Sequence, residues 1–140
     1  MPNNARKSRE DILDLAVPLF AKSGFDGVSI RTVASQSELT PAALYYHFKD
    51  KEALYFETVK HAFETKTSAA KDIIDNNDEA LANLEKFINW FVKTLNRDND
   101  FQKLLQWVLL DSNPKRMQSL VKDVFADLFL TTRKLAESFS

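Results

Sequence analysis

Tyr45, Tyr46, His47, Lys49 and Lys51 crowd one short stretch of this chain, and together they suit the phosphate backbone and base edges of a nucleic acid. A phenol or an imidazole N–H can donate to phosphate oxygen, and a lysine ammonium can neutralise it. The stretch also has a scaffold. Thr40 can cap a helix, Pro41 fits the first helical position, and Leu44 and Phe48, four residues apart, form one apolar stripe. It is too short to stand alone, since isolated helices need roughly 12–15 residues. A short capped helix, half core and half aromatic-basic, is the form expected of a recognition helix.

The elements that would position it read from the same rules. Ser8-Arg-Glu-Asp11 resembles a capping box, with Asp11 replacing the usual Glu, and opens a helix to about Ser23. Ile12, Ala16, Leu19 and Phe20 form its apolar face, Pro18 should bend it, and Gly24 is a natural residue just past its end. Ser29 can cap a second short helix with Ile30, Val33 and Ala34 inward, ending near Ser37. Ser37-Glu-Leu39 is then the turn into the Thr40 helix, which gives two short helices braced by a longer one, the helix-turn-helix layout. Asp50 caps a long helix to about Asp75, with Leu54, Tyr55, Val59, Ala62, Phe63 and Ala69 along one side. Beyond the break at Asp75-Asn-Asn-Asp78, further helices are predicted over 79–96, 100–111 and 115–138. The fold class is all-α, divided into 1–51 and 52–140 near the start of the long helix.

Composition agrees. The 140 residues hold only 2 Gly and 4 Pro and are 44% hydrophobic, which excludes a disordered or loop-rich chain. With no Cys, neither disulfides nor thiolate metal sites are available. No run approaches the roughly 18 apolar residues of a membrane helix, and no signal-peptide core opens the chain, so a cytoplasmic protein without membrane attachment is the expectation. Net charge is −1, but Arg6, Lys7 and Arg9 form a basic tail with no acid before Glu10. Local charge governs DNA binding because screening limits reach to about 8 Å.

Catalysis has little footing. There is no phosphate-binding glycine loop and no H-E-x-x-H, and the expectation is no enzyme and no cofactor. Glu57 and His61 stand four apart on one helix, but no third residue is spaced to complete a metal site, so none is expected.

Three segments in order, Ala16-Val-Pro-Leu-Phe-Ala-Lys-Ser-Gly-Phe25, Val28-Ser-Ile-Arg-Thr-Val-Ala34 and Leu44-Tyr-Tyr-His-Phe-Lys-Asp-Lys-Glu-Ala-Leu54, resemble the TetR family of transcriptional regulators over about residues 8–55. The resemblance implies an N-terminal three-helix helix-turn-helix DNA-binding domain and a C-terminal helical ligand and dimerisation domain. It also implies a homodimer on double-stranded operator DNA and repression relieved by a small molecule. Family DNA contacts fall on Arg31, Thr40, Tyr45, Tyr46, His47 and Lys51, and the basic tail adds Arg6 and Lys7. Arg31 could read guanine or pair with phosphate, while Ala42 and Ala43 leave few side chains for base reading. The family turn usually carries glycine where this chain has Glu38, so a left-handed backbone there would be strained. Family members also continue through two more long helices, so the dimer interface is expected to be incomplete here.

The second half is rich in aromatics. The resemblance turns part of this core into a ligand pocket, expected around Phe63, Trp90, Phe91, Trp107 and Phe125, for an apolar or amphipathic effector. The function expected is a ligand-responsive repressor. The alternative is a helical interaction module without DNA binding, motivated by the near-zero charge and Glu38.

Overall fold

A computed structural model describes residues 8–74 and 78–139, with the side chains of 127–129, 131 and 132 not described. Among the described residues there are eight helices and no strand. They are α1 (Arg9–Ser23), α2 (Ile30–Gln36), α3 (Pro41–His47), α4 (Lys51–Ile73), α5 (Ala80–Arg97), α6 (Asn99–Leu110), α7 (Pro114–Asp123) and α8 (Ala126–Glu137).

The first four begin where the sequence places a cap. Ser8 and Asp11 form the reciprocal capping box, each backbone N–H donating to the other's side chain at 3.1 Å. The side chains of Ser29, Thr40 and Asp50 accept from Thr32 N–H at 3.0 Å, Ala43 N–H at 3.1 Å and Ala53 N–H at 2.8 Å. Each cap stabilises its helix by about 1 kcal/mol, a large contribution for α2 and α3, which have seven residues each. α1 runs on through Pro18 and stops at Gly24, whose φ of 71° and ψ of −177° suit only a residue without Cβ.

One apolar core joins the chain's two halves. Ile12, Ala16 and Phe20 of α1, Val33 and Ala34 of α2, and Leu44 and Phe48 meet Leu54 and Val59 of α4. Leu104 and Val108 of α6 enter the same cluster, and α6 packs along α1. The boundary at residue 51 is therefore not marked by a gap in the core. Thr58 and Thr67 also lie in the buried stripe of α4, their hydroxyls donating to the carbonyls of Leu54 (2.6 Å) and Phe63 (3.0 Å). That back-bonding satisfies hydroxyls which would otherwise be costly to bury.

The C-terminal half departs from expectation in two places. The helix predicted over 115–138 is two helices, broken at Val124–Phe125, where both N–H groups turn to the Leu120 carbonyl at 2.9 Å. On a straight helix adjacent side chains point about 100° apart, yet Val124 and Phe125 are both buried. The bend turns both inward and sets Phe125 against Phe63 with ring centroids 5.0 Å apart. The second departure is α5. Its apolar residues line one side, but Asn83 is its only buried residue, and Ile88 and Val92 are exposed.

Candidate nucleic-acid interface

α3 is fixed from both ends. Thr40 caps its start, and Leu44 and Phe48 sink into the core, leaving 0% and 2% of their surface exposed. That anchoring drives the residues between them outward. Tyr46 is 86% exposed and Tyr45 49% exposed. Tyr46 rests edge-on against His47, with centroids 5.7 Å apart. A phenol held that far into solvent gains little from the fold and is free to meet a partner surface.

The turn before α3 adopts the strained geometry that the sequence made conditional. Glu38 has φ of 59°, the one non-glycine residue with positive φ among the described residues. Ser37 N–H donates to the Val33 carbonyl at 3.0 Å, and Leu39 N–H to the Ala34 carbonyl at 2.8 Å, closing the end of α2 around it. Reversing direction between two short helices in three residues needs a left-handed residue, and this chain places glutamate there.

The remaining residues singled out for DNA contact fall in three situations. Arg31, in the first turn of α2, and Thr40 are exposed. His47 and Lys51 are half-buried. The His47 carbonyl accepts from the Arg9 guanidinium, which lies 4.4 Å from the Phe48 ring centroid and 3.7 Å from the Glu57 carboxylate. The Lys51 ammonium sits 4.3 Å from the Phe25 ring centroid, so it is a partly engaged cation rather than a free one. Arg6 and Lys7 lie outside the described residues.

Behind this surface the first three helices are clamped by the second half of the chain. The Arg116 guanidinium of α7 donates to both Asp111 oxygens, at 2.8 and 3.1 Å, and to Glu52 of α4 at 3.0 Å. It also covers the Phe25 ring at 4.0 Å. The Arg116 hydrogen bonds hold the Asp111 carboxyl below the usual aspartate range, against the opposing effect of burial, and Asp111 in turn keeps the guanidinium charged. Tyr55, beneath them, has its phenol pushed up to about 12 by burial, with the Asp111 charge adding to the shift. Nothing in sequence periodicity marks Arg116, because its partners lie across a turn and on a distant helix.

The five aromatics expected around a ligand pocket do not converge. Phe63 and Phe125 are buried against each other, with Phe101 4.9 Å from Phe63. Trp90 and Phe91 are half-buried on α5, grouped with Phe87. Trp107 is elsewhere again, 41% exposed, its indole N–H bonded to the Ala21 carbonyl of α1 at 2.9 Å. Neither of the two described cavities is lined by any of these five residues. The physical reason is plain for Trp107: its polar edge finds a carbonyl at the end of α1, which sets the ring against Gly24. The spaced pair Glu57 and His61 is likewise divided, Glu57 facing Arg9 and His61 Nε2 lying 2.6 Å from the Asp14 carboxylate.

Comparison with known proteins places this arrangement. Residues 12–58, which run from the first core residue of α1 into α4, match the family described as bacterial regulatory proteins, tetR family. A curated relative is the biofilm operon icaADBC HTH-type negative transcriptional regulator IcaR of Staphylococcus epidermidis, 28% identical over 116 residues, covering 81% of this chain and 59% of that protein. The chain thus spans about six tenths of that relative's length. Among solved structures, the fatty acid degradation regulator FadR from Bacillus halodurans superposes with a TM-score of 0.80 at 17% identity, covering 93% of this chain and 69% of that one. The TetR family transcriptional regulator PfmR from Thermus thermophilus gives 0.67 at 23% identity, covering 91% and 69%. These two likenesses carry the all-α fold, and the family match covers residues 12–58. With its helix-turn-helix built on the caps of Ser29 and Thr40, the segment 12–58 of this chain is similar to the TetR family of bacterial regulatory proteins.

Proposed function

We propose that the protein is a DNA-binding transcriptional repressor, acting as a homodimer and released from operator DNA by a small apolar or amphipathic ligand. The observation that carries this reading is the two-sidedness of α3, with Leu44 and Phe48 locked in the core and Tyr45 and Tyr46 turned out. Arg31, Thr40, Tyr45, Tyr46, His47 and Lys51 are the proposed DNA contacts, with Arg6 and Lys7 of the tail. Residues 1–51 form the DNA-reading part and 52–140 the regulatory part, with α4 as the shared element. Two recognition helices in a dimer would enter successive major grooves about 34–36 Å apart. A ligand releases the protein by favouring a state in which that spacing is lost, and it can do so only by binding that state better. The naming of one relative as a negative transcriptional regulator supports repression. The naming of one structural neighbour as a regulator of fatty acid degradation supports an amphipathic effector.

The test is fluorescence anisotropy with the DNA upstream of the protein's own gene across a salt series. Binding should fall steeply with salt. Lys51→Ala should weaken it for every sequence and lower the salt slope by about one. Absence of salt-dependent DNA binding would sink the reading.

A further inference from the structure

The larger of the two described cavities, about 710 Å³, is lined by none of the aromatics of α5 and α6. It runs between the start of α4 and α7 and reaches His47 and Lys49 at the end of α3. Its volume falls within the roughly 300–1,000 Å³ of small-molecule sites. We propose that this groove binds an amphipathic monoanion, a single carboxylate on an apolar body, between the α3–α4 turn and α7.

The charges of the groove are sorted along its length. The pairing of Arg116 with Glu52 sets the first turns of α7 and α4 side by side, and Phe125 meets Phe63 further along, so the two helices run in the same direction. Lys49 and Lys115 therefore stand at one end of the groove. Asp123 stands at the other, eight residues and about 12 Å along α7 from Lys115. The remaining charges are already engaged: Arg9 with Glu57, and Arg116 with Asp111 and Glu52. Both lysines are exposed, so the end nearest α3 offers two cations to an incoming anion. Between the ends Phe56, Ala53 and Leu120 supply an apolar strip of wall, beside Ser119 and the paired Arg9 and Glu57. A carboxylate set between Lys49 and Lys115 would lay its chain over that wall, with its apolar end toward Asp123. An amphipathic cation would have to invert, and would meet two lysines at its apolar end.

The site's regulatory meaning rests on the proposed function. Lys49 is two residues beyond His47, a proposed DNA contact, so a carboxylate held at Lys49 would set a negative charge close to the DNA phosphates, and occupancy would lower DNA affinity.

The test is calorimetric titration of the 140-residue chain with decanoate, independent of DNA. Saturable binding is expected, weakened about tenfold by Lys115→Glu and retained by Lys115→Arg. Ala53→Phe, which fills the wall without changing charge, should also weaken it. Decyltrimethylammonium should bind far less well than decanoate. No saturable decanoate binding, binding unchanged in both Lys115→Glu and Ala53→Phe, or equal binding of the cation would overturn the site. Decanoate binding by a chain that fails to bind DNA would leave the site standing and remove the repressor reading instead.

Discussion

The indole N–H of Trp107 donates to the Ala21 carbonyl at 2.9 Å, tying α6 to the last turn of α1. The bond closes a contact across 86 residues of sequence, and it satisfies a carbonyl at a helix end that would otherwise turn to water. The same ring lies so close to Gly24 that a Cβ built there would meet Trp107 Cε3 at 2.8 Å. The N-terminal helices are thus seated on α6 through a fitted surface as well as being linked through α4.

Gly24 should tolerate no side chain. Its backbone lies where residues other than glycine cost about 1–3 kcal/mol, and the added methyl would press on a bulky ring. Gly24→Ala is expected to lower stability by about 3 kcal/mol in urea unfolding. Trp107→Phe keeps most of the packing and removes the donor, so it should cost only about 1 kcal/mol. Equal losses in the two variants would mean that the close approach at Gly24 carries no strain.

Glu38 is the opposite case, a side chain where glycine would be easier. Left-handed backbone costs about 1–2 kcal/mol for an ordinary residue, and glycine gives part of that back as unfolded-state entropy. Glu38 is exposed, so its replacement sacrifices no packing. Glu38→Gly should therefore stabilise the protein by roughly 0.5–1 kcal/mol, read from the urea midpoint at unchanged slope. A loss of stability would show that the carboxylate contributes something beyond its backbone.

The Arg116 clamp should fail in acid. Hydrogen bonds from Arg116 hold Asp111 below the ordinary aspartate range, so its folded value lies under its unfolded one. Such a group adds stability that is fully present above about pH 4, the unfolded value, and is lost as pH falls through the folded value. Asp111→Asn should cost roughly 2 kcal/mol at neutral pH. The gap between wild type and variant should narrow steadily from about pH 4 downward. A gap that stayed constant to about pH 2 would assign the loss to geometry alone.

How much of this was legible in the sequence differs between the halves. Residues 8–51 hold their helices by local chemistry, so Ser8, Ser29, Thr40 and Asp50 could be read as caps and were found capping. Glu38 could be read only through the family resemblance, whose turn usually carries glycine at that place, and its φ is 59°. The second half depends on which surfaces meet, and periodicity cannot report that. α5 has a well-segregated apolar side, yet it buries only Asn83. The bond from the Trp107 N–H to the Ala21 carbonyl, 86 residues away, leaves no trace in periodicity. Arg116 was invisible because its partners Asp111, Glu52 and Phe25 assemble only in the fold.

Tyr46 offers the sharpest separation of DNA binding from stability. With 86% of its surface exposed and only an edge contact to His47, it supports little of the core. Tyr46→Phe and Tyr46→Ala should therefore leave stability within about 0.5 kcal/mol of wild type. If the phenol donates to a phosphate, removing the hydroxyl alone should cost about 1.5–3 kcal/mol of binding, roughly 10- to 100-fold in Kd. Because tyrosine is neutral, the salt slope should not change, whereas Arg31→Ala should reduce it by about one. Anisotropy titrations of all three variants over one salt series make the comparison. If Tyr46→Phe binds like wild type while Tyr46→Ala does not, the ring rather than the hydroxyl meets the DNA, through a sugar or a thymine methyl. If both bind like wild type, α3 does not present Tyr46 to the duplex.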